Sequence, residues 1–311
     1  MTSPASQPED LTDRGYLLTE QANPASQSLD QLSPLAFVEL VNAEDQNTLR
    51  AIAAAKSALA EAIAQTAKAL RAGGRLFYVG AGTSGRLGVL DAAECPPTFC
   101  TSPELVQGLI AGGAAALVRS SEGLEDIAAD GERVIHDHRI GPHDVVVGIT
   151  AGGTTPYVHG ALKAAQQRGA IAIFMACVPA DQVPAHYDVD IRLLVGPEVL
   201  AGSTRLKAGT VTKMALNILS TGVMVQLGKV YGNRMIDVAV TNTKLRDRAI
   251  RMLSDLTGLD RAAAADLLDR SQQRVKSALL MHWGELTLAA ADACLEQHQG
   301  QLRLALDSLK K

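Results

Sequence analysis

The chain has 311 residues, 47% apolar, 3% aromatic and 20% charged, with 29 Lys and Arg against 33 Asp and Glu for a net charge of −4. That balance excludes nucleic acid as the main partner, because neutralising phosphates takes a basic surface. No run reaches the roughly 20 apolar residues of a membrane span. Four cysteines (Cys95, Cys100, Cys177, Cys294) are too few for a disulfide framework, and none forms a C-x-x-C pair of the zinc-binding kind. The expectation is a soluble, cytoplasmic protein of a reducing compartment.

The first 15 or so residues, rich in Ser, Pro, Gln and Asp, carry no apolar core of a signal peptide and read as disordered; the tail is taken to residue 17. Residues 18–50 form an N-terminal helical segment, continued by an alanine-dense helical run to Leu70 with Ile52, Leu59, Ile63 and Leu70 on one stripe. Ala72-Gly73-Gly74 stops it. Strand-length apolar runs then recur at 75–79, 106–110, 145–149, 171–178 and 191–195, with helical stretches at 86–93, 124–138 and 157–168 between them. Continuous apolar runs suit strands buried on both faces of a parallel sheet. The alternation predicts a doubly wound α/β layer over 51–240, with ligands at the carboxyl ends of the strands. After Arg205 the strands stop: 205–228 reads as one long helix, and 241–311 as a small helical domain broken at Gly258 and Gly300.

Two glycine-rich loops stand out. Gly80-Ala81-Gly82-Thr83-Ser84-Gly85 follows the first strand and opens a helix. It matches G-x-G-x-x-G, but the dinucleotide reading needs an acid at the end of the second strand, and Ile110-Ala111-Gly112-Gly113 stands there instead. Thr83 and Ser84 suggest hydroxyls and amides converging on a phosphate at a helix N-terminus. Thr150-Ala151-Gly152-Gly153-Thr154-Thr155-Pro156 repeats the arrangement after the third strand, with Pro156 suited to a first helical turn. One such loop reads as an ordinary capped turn; two favour an anion site.

Around the first loop the residues resemble a known family. Gly80 to Gly88, then Val89-Leu90-Asp91-Ala92-Ala93-Glu94-Cys95-Pro96-Pro97-Thr98, resembles the N-acetylmuramic acid 6-phosphate etherases of the sugar isomerase (SIS) superfamily. The likeness continues through Glu122-Gly123-Leu124-Glu125-Asp126, Gly202-Ser203-Thr204-Arg205-Leu206-Lys207 and Thr241-Asn242-Thr243-Lys244-Leu245, and upstream through Thr19-Glu20-Gln21-Ala22-Asn23-Pro24. It implies a three-layer αβα SIS domain with a parallel sheet, flanked by the helical N-terminal segment and the small helical C-terminal domain. The implied reaction, in cell-wall amino sugar recycling, takes N-acetylmuramic acid 6-phosphate and water to N-acetylglucosamine 6-phosphate and D-lactate. Elimination across C2 and C3 of the open-chain sugar, then hydration, takes one acid and one base, with no metal or redox cofactor.

By the same resemblance Glu94 protonates the departing lactyl oxygen and Glu125 abstracts the C2 proton. The Pro96-Pro97 pair is expected to end the helix at Glu94, where the negative helix end and burial beside Cys95 favour a protonated acid. Glu125 sits in an acidic cluster with Glu122 and Asp126 at a helix start capped by Ser120 or Ser121, where acids are favoured anyway. Phosphate binding carries over to Thr83, Ser84 and Thr155; Thr150 offers a hydroxyl where Gly152 replaces the family's common Ser, and Thr154 replaces an Arg. Ser203 and Thr204 are expected to start the long helix. Arg205 and Lys207 in its first turn fit either an anionic ligand such as the lactyl carboxylate or two solvated cations. The seven His are scattered and His136, His138 and His143 read as surface residues, with no metal site. A homodimer with sites near the subunit interface is implied. The competing readings are a phosphosugar isomerase of the same superfamily and a non-catalytic sugar-phosphate sensor like the glucokinase regulatory protein.

Overall fold

The computed structural model describes residues 13–120, 123–238 and 240–310. Ser33 opens α1 (Pro34–Arg71) by accepting the Ala36 N–H at 3.3 Å, with Pro34 in the first turn. Five strands, β1 (Leu76–Gly80), β2 (Val106–Ile110), β3 (Val145–Ile149), β4 (Ile171–Ala176) and β5 (Val189–Arg192), form one parallel sheet in the order β2-β1-β3-β4-β5. The crossovers carry α2 (Gly82–Phe99), the single turn α3 (Ala115–Val118), α4 (Ala128–Asp137) and α5 (Pro156–Gln167); α6 (Lys207–Gln226) follows the sheet.

The sheet is buried on both faces, as its continuous apolar strands predict. In β1, Leu76 and Tyr78 face the layer of α1, α2 and α6, while Phe77 and Val79 face α4 and α5. Small residues on α1 (Ala51, Ala55, Ala62) let it lie close to α6, and Leu59 and Leu70 fill the remaining space. A third core joins α7 (Thr243–Thr257), α8 (Arg261–Arg270), α9 (Val275–Trp283), α10 (Leu288–Gln297) and α11 (Leu302–Ser308) around Leu267, Leu268, Leu279 and Leu280. It takes in Ile236 and Val238 as well, so the C-terminal core starts before the boundary expected at 241.

Several expectations are corrected. Pro96 and Pro97 do not stop α2: the helix runs on to Phe99 and ends at Cys100 in the left-handed region, whose N–H closes on the Pro96 carbonyl at 2.9 Å. Proline fits helical φ; each one removes its N–H bond and crowds the carbonyl four residues back, Ala92 or Ala93, but the cost falls in the last turn and the helix runs on to Phe99. The stretch 124–138 divides into a single 3-10 turn (Leu124–Asp126) and α4, because Ile127 between them is extended. A short hairpin, β6 (Val230–Tyr231) with β7 (Arg234–Met235), follows α6 where no further strand was expected. The expected tail to residue 17 also ends early: Leu17 is 1% exposed, and the Leu18 N–H donates to Gln182 Oε1 at 2.9 Å. Residues 1–12, Ser121 and Glu122 lie outside the described residues.

The strand order reverses between β1 and β3, which are level: Gly80 is opposite both Ile110 and Ile149. Loops leaving such neighbours in opposite directions open a crevice at the carboxyl edge. Gly85 makes the first loop possible, since a Cβ there would lie 2.6 Å from the Gly80 carbonyl oxygen and 2.5 Å from Ile110 Cγ1. Gly85→Ala is therefore expected to cost about 2 kcal/mol of unfolding free energy; a urea midpoint equal to that of the wild type would show that α2 can move off the sheet.

Candidate active site

The crevice is a cavity of about 330 Å³ lined by both loops: Ala81, Gly82, Thr83 and Ser84 from the first, and Thr150, Ala151, Gly152, Thr154 and Thr155 from the second. The N-terminus of α2 carries no side-chain cap, and neither does that of α5. At α5 the residue in the capping position, Thr155, turns its hydroxyl to the Thr150 hydroxyl at 2.8 Å. Two helix N-termini, each equivalent to about half a positive charge, thus open on one space with their amides free of side-chain caps. That is an anion site built without a basic side chain from either loop. A Cβ on Gly152 would lie 3.6 Å from Thr19 Oγ1, an ordinary contact, so the serine common in the resembling family fits here.

Glu125, in the 3-10 turn, is exposed and lines the same cavity. Glu94 does not. It lies on α2 ten residues beyond Ser84, about 15 Å along the axis, in a neighbouring cavity of about 230 Å³ with Asp91, Lys213 and Asn217. Leu87, two turns before Glu94, lines both spaces. Neither ground expected for a protonated Glu94 is met: the helix does not end there and the side chain is exposed. The half-buried acid on this helix is Asp91, which accepts from the Tyr78 hydroxyl at 2.9 Å and Ser220 Oγ at 3.1 Å and so ties α2 to β1 and α6. Burial pushes the Asp91 carboxyl up, against those two hydrogen bonds.

Lys207 and Ser203 are placed differently from the sequence expectation. The helix starts at Lys207 rather than at Ser203 or Thr204, and Gly202 and Thr204 line the cavity while Ser203 and Lys207 do not. Lys207 is 1% exposed and its Nζ donates to Glu44 on α1. Glu198 accepts the Lys207 and Ala208 amides at 3.0 and 2.8 Å, and Asn23 donates to Glu44 at 2.7 Å and to the Pro197 carbonyl at 3.0 Å. The anion that offsets a cation at this helix N-terminus is therefore the protein's own. Burial raises the Glu44 carboxyl, but the hydrogen bonds from Lys207 and Asn23 outweigh it and leave it below its ordinary value. Burial pushes Glu198 up, with the two amides opposing.

Arg14, Glu20 and Thr212 also line the cavity. Sequence reasoning missed them: Arg14 lay in the expected tail, and Glu20 was part of a recognised block to which no role was attached.

The family models that match are described as the glucokinase regulatory protein N-terminal SIS domain, over residues 58–166, and the C-terminal lid domain of glucokinase regulatory protein, over residues 232–288. N-acetylmuramic acid 6-phosphate etherase from Crocosphaera subtropica is 70% identical over 96% of this chain and 98% of its own length. The etherase from Nostoc sp. is 70% identical over 97% and 98%, and that from Picosynechococcus sp. 72% over 95% and 98%. The chain belongs to the N-acetylmuramic acid 6-phosphate etherase family. It carries the SIS domain expected from the sequence, and α7, α8 and α9 fall where the lid-domain model matches.

The buried pair of this etherase-family chain yields a stability prediction. Glu44→Gln leaves the Lys207 ammonium buried without its anion, and should cost about 3 kcal/mol near pH 7. Because the folded Glu44 carboxyl is lowered, its contribution is complete above the ordinary carboxylate value and disappears as pH falls through the lowered one. The gap in Tm between wild type and variant should therefore close in acid; a gap independent of pH would refute the assignment.

Proposed function

We propose that this chain is an N-acetylmuramic acid 6-phosphate etherase, cleaving the D-lactyl ether at C3 with water to give N-acetylglucosamine 6-phosphate and D-lactate. The observation that carries the reading is about 70% identity to etherases over nearly the whole length. The 6-phosphate sits on the N-termini of α2 and α5, held by their amides and by Thr83, Ser84, Thr150 and Thr155. A dianion there is stabilised without a neighbouring cluster of cations, which suits a chain of net charge −4. Arg14, which also lines the cavity, adds a charge-assisted donor.

In the open-chain sugar the aldehyde acidifies the C2 proton. Glu125 removes it; electrons move into the C2–C3 bond; the lactyl oxygen leaves C3 with a proton from Glu94. Water then adds at C3 while a proton returns to C2, so the sum is substrate plus water giving the two products. The sugar extends from the loops past Leu87 toward Glu94, which joins the two cavities along one face of α2. Ser203 and Lys207 contribute through the loop and the helix start they build, not by touching substrate.

The protein acts as a homodimer in this reading. Leu90, Ile218 and Val225 are 49%, 37% and 44% exposed on α2 and α6, beside the Glu94 cavity and a groove between α1 and α6. A second copy on this face would cover Glu94 and dry its surroundings. Light scattering should return twice the chain mass, and a monomer at working concentration overturns the dimer. The proposed location is the cytoplasm; among the described residues no helix is long and apolar enough to cross a membrane.

Incubation with N-acetylmuramic acid 6-phosphate should release D-lactate, and Glu94→Gln and Glu125→Gln should each lower the rate by at least about a hundredfold while leaving Tm within a few degrees. In deuterated, 18O-labelled water the product should carry deuterium at C2 and the label at C3. Lactate release without deuterium at C2 would refute elimination. Ligand-induced stabilisation without turnover would favour the sensor reading that the names of the two family models suggest.

A further inference from the structure

His159 lies on α5, one turn beyond Thr155, outside the cavity. Its Nε2 is 2.7 Å from the carbonyl oxygen of Gly153 in the second loop, and its Nδ1 is 2.8 Å from the Tyr187 hydroxyl. A carbonyl oxygen can only accept, so Nε2 carries the proton; Nδ1 of the neutral ring then accepts from Tyr187. The ring has little freedom to turn. It stacks on Phe174 at 5.6 Å between centroids, Phe174 stacks on Tyr187 at the same separation, and the Arg192 guanidinium lies 4.9 Å over the Phe174 ring.

Holding that carbonyl fixes more than the carbonyl. The Gly153–Thr154 peptide is planar and trans, so its C=O and N–H point in opposite directions. With the oxygen turned to His159, the Thr154 N–H faces the other way; Thr154 lines the cavity, and its N–H finds no acceptor among the described residues. Gly153 adopts φ +78°, and a Cβ there would meet Val178 Cγ2 at 2.9 Å. The turn is thus pressed against β4's exit on one side and tethered by His159 on the other.

We infer that His159 is a positioning residue for anion binding: it orients the Gly153–Thr154 peptide so that the Thr154 amide is presented to the phosphoryl group. The inference rests on the reading that the two loops hold the 6-phosphate. Tyr187 serves the same end one step back, by keeping the imidazole proton on Nε2.

The test compares His159→Phe, His159→Gln and Tyr187→Phe with the wild type by titrating inorganic phosphate, followed by calorimetry or competition. Phe keeps the stack and loses the donor; the Gln amide reaches as far as Nε2 and restores it. His159→Phe should weaken phosphate binding and raise KM by about tenfold, the scale of one lost hydrogen bond, with kcat within about twofold. His159→Gln should recover most of the loss, and Tyr187→Phe should lose about threefold. Equal phosphate affinity in wild type and His159→Phe overturns the inference, as does a His159→Gln no better than His159→Phe. Should His159→Phe fail to fold, unchanged affinity in Tyr187→Phe overturns it. Phosphate titration needs no turnover: an inactive wild type whose phosphate affinity follows this series defeats the etherase reading alone, whereas an active wild type with an unresponsive series defeats the positioning role alone.

Discussion

The site depends on one arrangement, two helix N-termini brought to the same point by the reversal of strand order between β1 and β3. Neighbouring parallel strands that end level send their following helices to opposite faces of the sheet, and the amides of both first turns face the gap. At α2 and α5 no side chain satisfies those amides. Positive potential is therefore concentrated where an acidic chain has few cations to offer. The loops need small residues to reach this geometry: Gly85 lets α2 start against the sheet, and Gly153 takes the left-handed turn that precedes Thr154.

The third helix at this edge shows what happens when the same potential is neutralised from within. The α6 N-terminus also points at the crevice, and Ala208, Gly209 and Thr212 line it. Its first amides are taken by the buried Glu198 carboxylate. The cation in its first turn, Lys207, is held by Glu44, which in turn holds Asn23. Breaking one partner would leave a charge buried alone, which costs far more than an exposed pair gives back. The network thus locks the N-terminal segment, α1 and α6 into one frame, and that frame carries Arg14, Glu20 and Thr212 to the cavity.

The sheet and the two loops were legible because their signals are local. A strand buried on both faces reads as an unbroken apolar run, and a turn that needs glycine shows glycine. What escaped was set by partners distant in sequence. Lys207 at a helix start looked like a ligand for an outside anion, and nothing near it in sequence names Glu44, 163 positions away. His159 passed as one of seven scattered His because its acceptor, Gly153, lies in a turn whose direction only the fold decides. The proline pair misled for a different reason: the lost N–H bonds and the steric restriction before proline both disfavour helix, yet α2 is already under way and continues to Phe99.

The separation of the two glutamates has a physical sense of its own. An acid and a base at one small site repel when both are ionised, and each disturbs the protonation of the other. Here Glu125 shares the cavity between the two loops, where the proposed dianion would oppose a further negative charge, while Glu94 stands two turns beyond Leu87 beside Lys213. In the proposed reaction the sugar would bridge them, anchored by phosphate at one end and presenting C3 toward α2's outer half. Catalytic geometry then depends on the straightness of α2 between Thr83 and Glu94. The Asp91 hydrogen bonds to Tyr78 and Ser220 clamp that stretch to the sheet on one side and to α6 on the other. A helix fixed at its first turn by Gly85 and near Glu94 by Asp91 holds the first loop and Glu94 at a set distance, which the proposed reaction would use as a ruler between binding and protonation.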